Sequence, residues 1–170
     1  MVMIRSAQGW FHARGAVVLG DVTIGPDSSL WFNVVIRGDV APVVIGRAVN
    51  VQDNSVIHCD RGVANVIEDR VTIGHGALVH GAMVGEGSLI GMGSRLLGRT
   101  RIGRECIVAA GAVVPPGMEV PDRMLAMGVP ARIVRRVTED ELAYMRDVAA
   151  RYVELAKRHV NGEFLNRSAV

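Results

Sequence analysis

The chain has 170 residues, of which 49% are hydrophobic but only 4% aromatic, and its formal net charge is +2. This length allows one domain with a sizeable core, while the low charge gives no electrostatic case for nucleic acid binding. No apolar run reaches the roughly 18 residues that span a membrane, and the N-terminal residues lack the pattern of a secretory signal, so we expect a cytoplasmic protein.

Aliphatic residues recur every six positions along most of the chain, a period that is neither that of a helix nor that of a single strand. This spacing is the hexapeptide signature of a parallel β-helix, in which three hexads close a triangular coil of about 18 residues. We expect these side chains to point inward and to stack on their equivalents in neighbouring coils. They are Val18, Ile24, Leu30, Ile36, Ile45, Val51, Ile57, Ile67, Ile73, Val79, Val84, Ile90, Leu96, Ile102, Val108 and Val114.

Hexapeptide repeats of this kind resemble those of the left-handed β-helix proteins, and only this resemblance implies the hand of the coil. The predicted fold class is therefore all-β, a left-handed parallel β-helix of hexapeptide repeats with a C-terminal α-helix. The six-residue spacing breaks at three steps. We interpret the longer steps 36–45 and 57–67 as loops that bulge from a corner, whereas the shorter step 79–84 has no explanation in the sequence.

The repeat is expected to end near residues 114–117, where two prolines and a glycine punctuate the chain. An extended segment at 120–135 follows, and the sequence Thr-Glu-Asp-Glu from Thr138 predicts a capping box at the start of a helix. We therefore divide the chain into a β-helix domain with an extended tail, 1–137, and a C-terminal helix, 138–162. The apolar stripe of this helix is expected to pack on the β-helix or on a neighbouring copy.

Two histidines are expected to stack in one outward column of the β-helix. The hexads that begin at residues 36, 57 and 79 fall on the same face, so the residues that follow these positions, Arg37, His58 and His80, lie on successive coils. Neighbouring parallel strands are about 4.8 Å apart. His58 and His80 can therefore both reach one metal ion.

A third histidine, His75, lies on the preceding face, with Gln52 on that face one coil earlier. On a single chain His75 is around a corner from the pair formed by His58 and His80. If three copies pack with parallel axes, His75 and Gln52 of one copy can complete a site with the histidine pair of the next. Three imidazoles with an open fourth position form the ligand set of a catalytic zinc, which lowers the pKa of water to about 7.

Four stretches of the sequence resemble the γ-class carbonic anhydrases and their close relatives. The resemblance covers about residues 10–137, and the C-terminal helix is also typical of the class. It implies a homotrimer with metal sites at the subunit interfaces. The stretches are SSLWFNVVIRGD (28–39), NVQDNSVIH (50–58), VTIGHGALVHG (71–81) and LIGMG (89–93).

The same resemblance implies a reaction and a role for each matching residue. The reaction is the reversible hydration of carbon dioxide to bicarbonate by a metal-bound hydroxide. Zn²⁺ is the expected metal, although Fe²⁺ or Co²⁺ also suits three imidazoles. The implied residues are His58, His75 and His80 as metal ligands, Gln52 as the partner of the metal-bound water, and Arg37, Asp39 and Asp53 as a charged network beside the site.

The sequence departs from the founding members of that class where their acidic loop carries proton-transferring glutamates. Val40 directly follows the Arg-Gly-Asp stretch, and segment 59–66 offers only Asp60. The later Asn and Tyr residues of the class have no match, because Tyr144 and Tyr152 lie in the predicted helix. A proton shuttle is therefore missing or different.

Two alternative functions remain open in the sequence. The segment GVPARIV (128–134) also resembles the tail of hexapeptide acyltransferases that use acetyl-coenzyme A, although these usually have one catalytic histidine rather than three. The other alternative is a catalytically silent metal-binding trimer with an assembly role. A structural zinc normally has four protein ligands, and Cys59 is the one candidate for a fourth.

Overall fold

The structure is a computed structural model that describes residues 2–164. Its strands wind into a parallel β-helix of about six turns, and one α-helix follows at the C-terminal end. The six-residue period therefore predicted the parallel β-helix correctly, and the capping box with the apolar stripe predicted the C-terminal helix.

The strands are numbered in chain order, and most of those in the middle of the chain contain only two residues because each side of the coil is short. They are β1 (Met3–Arg5), β2 (Phe11–Ala13), β3 (Val17–Ile24), β4 (Ser29–Leu30), β5 (Val35–Ile45), β6 (Asn50–Val51), β7 (Val56–Ile57), β8 (Asn65–Ile67), β9 (Thr72–Ile73), β10 (Leu78–Val79), β11 (Met83–Val84), β12 (Leu89–Ile90), β13 (Arg95–Leu96), β14 (Arg101–Ile102), β15 (Ile107–Val108), β16 (Val113–Val114), β17 (Glu119–Val120), β18 (Met124–Gly128) and β19 (Ala131–Arg136).

Three faces make up the β-helix, and each is a stack of parallel strands taken from successive coils. Face 1 contains β7, β10, β13 and β16, and face 2 contains β8, β11, β14 and β17. Face 3 contains β2, β4, β6, β9, β12, β15 and β18. The longer strands β3 and β5 run from face 1 into face 2, and the antiparallel strands β1 and β19 form the two ends of the sheet on face 3.

The predicted inward residues form the core of the β-helix. From Ile24 to Val114 all of them are buried, and within each face they are in register, as Ile36 and Val79 are with Ile57 on face 1. Val18 is the exception, with 38% of its surface exposed. The prediction for Val18 was wrong because β3, among the described strands, pairs only with β5, so that no further coil covers this end of the column.

The three breaks in the period have three different structures. Step 36–45 is not the predicted loop, because β5 continues unbroken around the corner and pairs with β3 on both sides of an irregularity. Step 57–67 is a loop between β7 and β8, as predicted. At step 79–84 a Cβ on Gly81 would lie 2.4 Å from the hydroxyl oxygen of Thr100. Glycine therefore permits a corner that is one residue tighter than the others.

The coil continues beyond its predicted end near residues 114–117. Val120 pairs with Ile102 on face 2, and Ala126 pairs with Val108 on face 3. The two prolines did not end the coil because they occupy a corner, where a Pro residue interrupts no ladder of hydrogen bonds. The predicted extended segment is an antiparallel hairpin of β18 and β19.

Helix α1 spans Glu139–Val160 and begins with the predicted capping box. The backbone N–H of Glu141 donates to the Thr138 hydroxyl at 3.2 Å, and the Glu141 carboxylate accepts from the backbone N–H of Thr138 at 2.8 Å. This exchange satisfies two donors that a helix start leaves without an intrahelical partner. The division of the chain into domains 1–137 and 138–162 stays a prediction.

The apolar side of α1 packs along face 3 of the same chain. Leu142 and Met145 are buried against residues of β12 and β15, and Ala156 is buried in a second cluster with Trp31 near the first coil. The helix therefore runs back along the β-helix from its last coils to its first. Within residues 2–164 no helix is both long enough and apolar enough to cross a membrane.

Candidate metal centre

Three corners join the faces of the β-helix, and the predicted site residues lie on two of them. Corner 3/1, where the chain passes from face 3 to face 1, contains Asp53 and His75. Corner 1/2, where it passes from face 1 to face 2, begins at His58 and His80. Corner 2/3, which contains Arg70, carries none of the predicted site residues.

The rings of His58 and His80 stack on neighbouring coils at corner 1/2. Each follows a buried residue of face 1, and these residues, Ile57 and Val79, are paired in register. The ring centroids are 5.2 Å apart. The side chains keep 17% and 28% of their surface exposed, so both rings are open to a ligand from outside the chain.

Arg37 lies one coil before His58 in the same column, because Ile36 is paired with Ile57. Its guanidinium forms an ion pair with Asp39, and the other carboxylate oxygen of Asp39 lies 2.9 Å from Nε2 of His58. Desolvation raises the pKa of the Asp39 carboxyl, but the contacts with His58 and Arg37 outweigh it and hold the pKa below its usual value. The structure thus joins Arg37, Asp39 and His58 in one charged network.

His80 has a carboxylate partner to which the sequence analysis gave no role. Nε2 of His80 lies 3.0 Å from Oδ1 of Asp60, which follows His58 in the loop of step 57–67. A turn in this loop, in which the N–H of Val63 donates to the carbonyl of Asp60, folds the carboxylate back over the next coil. The available signal was that Asp60 is the one carboxylate in segment 59–66.

His75 is held by Asp53 at corner 3/1. Nδ1 of His75 lies 2.8 Å from one carboxylate oxygen of Asp53, and the other accepts a hydrogen bond from the backbone N–H of Phe32 at 3.3 Å. These residues belong to three successive coils, so the corner itself aligns them. Because Nδ1 faces Asp53, the Nε2 atom of His75 points to the remaining side of the ring and is free for a ligand.

Gln52 is buried beside this corner and is part of a chain of polar side chains. Its amide N–H donates to the Asn50 side-chain oxygen at 3.0 Å, and the Asn50 amide in turn donates to the Thr72 hydroxyl at 2.8 Å. Only 4% of the Gln52 surface is exposed. Such a network fixes the orientation of the amide. The side-chain carbonyl oxygen of Gln52 takes no part in these two hydrogen bonds.

A groove of about 810 Å³ runs between α1 and face 3 and reaches Gln52. The face contributes small outward residues, so the helix and the sheet leave open space between them. The floor includes Gly74, Gly91 and Ala109, and the helix side includes Val148 and Tyr152.

The donor set fits a metal only if more than one copy of the chain contributes. Among residues 2–164 no three His, Cys, Asp or Glu side chains are grouped closely enough to hold an ion. His58 and His80 supply two imidazoles to one place, and His75 lies at a different corner. The Nε2 atom of His58 contacts Asp39, and that of His80 contacts Asp60. A metal bound through these two nitrogen atoms would therefore replace both contacts.

Cys59 points away from the histidine column. It is 1% exposed, belongs to the hydrophobic core, and its thiol donates to the carbonyl of Ala41 at 3.2 Å. Burial raises the pKa of this thiol. Because the side chain lies in the core and its thiol contacts Ala41, Cys59 does not share the outward side of the column with His58 and His80.

Comparison with known proteins identifies similar chains that are named as carbonic anhydrases and similar chains that are named as transferases. The family described as "Bacterial transferase hexapeptide (six repeats)" matches residues 81–116. A protein of Geobacillus kaustophilus named carbonic anhydrase is 49% identical over 144 residues, which are 85% of this chain and 79% of that protein. A mitochondrial protein of Arabidopsis thaliana named gamma carbonic anhydrase 1 is 40% identical over 88% of this chain and 56% of its own length.

A similar solved structure is named as an acetyltransferase. It is a putative acetyltransferase of Bacillus cereus, with a TM-score of 0.81 and 37% identity, and the match covers 88% of this chain and 91% of that one. The two kinds of name correspond to the first two functions that the sequence analysis considered.

Proposed function

Since the chain belongs to the γ-class carbonic anhydrase family, we propose that it is a metal-dependent lyase that catalyses the reversible hydration of carbon dioxide to bicarbonate. The observation that carries the proposal is the histidine pair. His58 and His80 have rings 5.2 Å apart on successive coils, and a third imidazole, His75, lies at the next corner with its Nε2 free. The cytoplasmic location expected from the sequence stays a prediction.

The proposed metal ligands are His58 and His80 of one copy and His75 of a neighbouring copy. Imidazole suits zinc, and it also suits Fe²⁺ and Co²⁺, so Zn²⁺ is the proposed metal and the other two are alternatives. When bound, the metal would act as a Lewis acid and bring the pKa of water to about 7. Metal analysis of protein prepared without oxygen distinguishes zinc from iron.

The proposed assembly is a homotrimer, because the ligands lie on two corners that flank face 1. If corner 3/1 of each copy meets corner 1/2 of the next, three copies close a ring in which every copy gives one histidine to one site and two to another. A dimer with a two-fold axis would also join these corners, and measurement of the mass in solution separates the two arrangements.

The remaining site residues have proposed roles that follow from their contacts. Gln52, whose N–H is held by Asn50, would use its free carbonyl oxygen to accept a hydrogen bond from the attacking water and so orient it. Arg37 and Asp39 would complete a charged network around His58, and Asp53 would hold the ring of His75. The apolar groove that reaches Gln52 would admit a small apolar substrate such as carbon dioxide.

The decisive experiment measures carbon dioxide hydration by stopped flow on protein whose metal content is known. We expect activity in the wild type, loss of activity and of metal in His75→Ala and His80→Ala, and no change in His12→Ala. His12 is the matched control because it packs on Trp10, away from the two corners. A fully metallated trimer without hydration activity would contradict the proposal.

Mixing two inactive variants tests whether the site is shared between copies. When His75→Ala and His80→Ala chains are unfolded together and refolded in equal amounts, about a quarter of the interfaces should combine an intact His75 with an intact His80. We expect activity to return to about that fraction. A site built within one chain would show no return, since every chain in the mixture lacks one ligand.

An acyltransferase is the second candidate function, favoured by the match to the putative acetyltransferase structure. This reading predicts that coenzyme A raises the thermal unfolding temperature and that His75→Ala protein retains this effect. The carbonic anhydrase proposal predicts no effect of coenzyme A. A metallated trimer that shows neither hydration nor coenzyme A binding would leave the catalytically silent assembly protein as the remaining function.

A further inference from the structure

A cavity of about 490 Å³ lies at corner 2/3, between that corner and helix α1. This volume is within the range of small-molecule sites, about 300–1,000 Å³. Corner 2/3 is opposite face 1, so in the proposed trimer it points away from the neighbouring copies. The cavity contains none of the residues of the candidate metal centre, and its argument does not depend on the proposed function.

The cavity exists because small residues face each other across it. At corner 2/3 one position recurs in every coil, and long side chains such as Arg70 and Glu105 occupy it. Two coils have Ala48 and Gly87 at this position instead, and both line the cavity. On the opposite wall α1 contributes Ala149, which is also small.

The inner wall of the cavity is apolar. Leu142 and Met145 of α1 are buried there, with 2% and 4% of their surface exposed, and Val153 extends this wall by two helical turns. An aliphatic chain bound along the helix would therefore be removed from contact with water on the side that faces this wall. It would not displace any polar group of the wall.

The rim of the cavity is rich in arginine. Four arginines and three carboxylates line it. Two further carboxylates outside the lining, Glu68 and Glu139, pair with Arg104 and Arg123, so the arginines and their partners carry no net positive charge. Ion pairs hold these arginines in place: Arg104 lies 3.3 Å from Glu68, and Arg146 lies 3.7 Å from Glu105. A guanidinium has five N–H donors, so a single contact of this kind leaves donors free. The lining consists of Arg70, Arg104, Arg123 and Arg146 with Glu86, Glu105 and Asp122.

We propose that this cavity binds an amphipathic monoanion, a carboxylate with an aliphatic body. The carboxylate pairs with the free N–H groups of Arg104 and Arg146, a contact that arginine makes with good geometry. The aliphatic body lies against Leu142 and Met145. A dianion or a nucleotide would bring more negative charge beside the rim carboxylates than the free N–H groups of Arg104 and Arg146 offset. We therefore assign a single negative charge to the ligand.

Octanoate is the probe, and isothermal titration calorimetry on the intact protein is the measurement. We expect saturable binding of octanoate, with acetate and 1-octanol binding at least about tenfold more weakly, because each lacks one half of the interaction. Arg104→Gln is expected to weaken octanoate binding by about tenfold through the loss of a charged donor. Arg47→Gln is the matched control, since Arg47 is an exposed, ion-paired arginine of the same corner that does not line this cavity.

Ala48→Met tests the location by filling the cavity. The corner tolerates long side chains at the equivalent positions of other coils, so this variant is expected to fold as the wild type does and to lose octanoate binding. Three results would overturn the proposal: no saturable binding by the wild type, equal binding of octanoate and 1-octanol, or unchanged affinity in both Ala48→Met and Arg104→Gln. Carbon dioxide hydration serves as a separate readout and should be the same in all of these variants.

Discussion

Each histidine of the candidate metal centre is held by a carboxylate of its own chain. A carboxylate partner fixes the orientation of an imidazole and decides which nitrogen carries the proton, and histidines that bind metals usually have such a partner. Only His75 makes the contact through Nδ1, so it alone has an arrangement ready for a ligand at Nε2. The pairs are His58 with Asp39 at 2.9 Å, His75 with Asp53 at 2.8 Å and His80 with Asp60 at 3.0 Å.

Asp53→Asn is expected to weaken metal binding by about 10- to 100-fold, the usual effect of losing such a partner. The substitution keeps the shape of the side chain and an oxygen for the N–H of Phe32, but removes the charge that faces His75. Competition with a chromophoric chelator measures the affinity. Asp27→Asn, at corner 2/3, is the control and should have the affinity of the wild type. Equal affinities for both variants would rule out a positioning role for Asp53.

Cys59→Ser is expected to leave the metal content unchanged. The side chain lies in the core and its thiol donates to Ala41, a contact that a serine hydroxyl can also make. Elemental analysis of the purified variant gives the result directly, and His80→Ala, which should lose its metal, is the reference. Loss of metal in Cys59→Ser would instead favour a closed, four-ligand structural site.

The histidine column could be predicted from the sequence, whereas two of its partners could not. The six-residue period assigns each position to a face, and this alone places His58 beside His80. Asp60 lies in a loop without any period, so its contact with His80 depends on a turn that the spacing does not describe. Asp39 was predicted only through the family resemblance, because the path of the chain across step 36–45 was not known.

At the scale of single elements, the start of α1 is held by a small network around Glu141. Its carboxylate accepts two hydrogen bonds from Arg135, each 2.8 Å long, and a third from the Thr138 backbone. The hydrogen bonds from Arg135 and from the Thr138 backbone lower the pKa of Glu141 from 4.5 to about 2. A carboxyl with a depressed pKa stabilises the folded state above its unfolded pKa and loses this contribution as the pH falls.

Glu141→Gln is therefore expected to lower the free energy of unfolding at pH 7 by about 0.5 kcal/mol, the size of an exposed ion pair. Gln can still close the capping box. The difference therefore reports the charge together with one hydrogen bond from Arg135, which the amide N–H₂ of Gln cannot accept. Urea unfolding of both proteins should show a constant difference above pH 4.5 that shrinks as the pH falls towards 2. Glu139→Gln is the control, because Glu139 is a highly exposed residue of the first helical turn. If the difference in the free energy of unfolding between the wild type and Glu141→Gln did not depend on pH, the prediction would be contradicted.

The loop of step 57–67 leads to a prediction about proton transfer. Its single carboxylate, Asp60, is already engaged with His80, so we expect the proton released in hydration to leave on an external buffer. The turnover number should then rise with the concentration of imidazole buffer. Arg61→Glu adds a carboxylate at an exposed position of the loop and should reduce this dependence. A turnover number that does not respond to buffer in the wild type would show that the chain has its own shuttle.

Elements with a strict period could be predicted better than the corners between them. The capping box and the inward columns depend on local spacing, and both are present in the structure. Step 36–45 was expected to be a loop because three residues were extra. In the structure the extra residues extend β5, since β3 and β8 provide neighbouring strands with which it can pair. Tertiary pairing of this kind overrides a prediction made from spacing.

At the scale of the whole molecule, the triangular cross-section separates different chemistries. Corners 3/1 and 1/2 carry the three histidines, and both flank face 1. Corner 2/3 carries a ladder of alternating charges, in which Arg47 pairs with Asp27 and Arg123 with Glu105. A neighbouring copy can therefore complete the metal site against two corners while the third remains open for the cavity beside α1.

Removal of the metal is expected to destabilise the whole assembly, because the proposed site joins two copies. A ligand present at about 1,000 times its dissociation constant contributes about 4 kcal/mol to the folded state. Chelation should therefore lower the thermal unfolding temperature and favour smaller species at low protein concentration, both measurable by calorimetry and by light scattering. His75→Ala, which cannot share the metal, should unfold at the temperature of the chelated wild type and should not respond to the chelator. If the chelator removes the metal from the wild type without changing its unfolding temperature or its mass, the histidines do not hold the copies together, and the metal must bind elsewhere in the molecule.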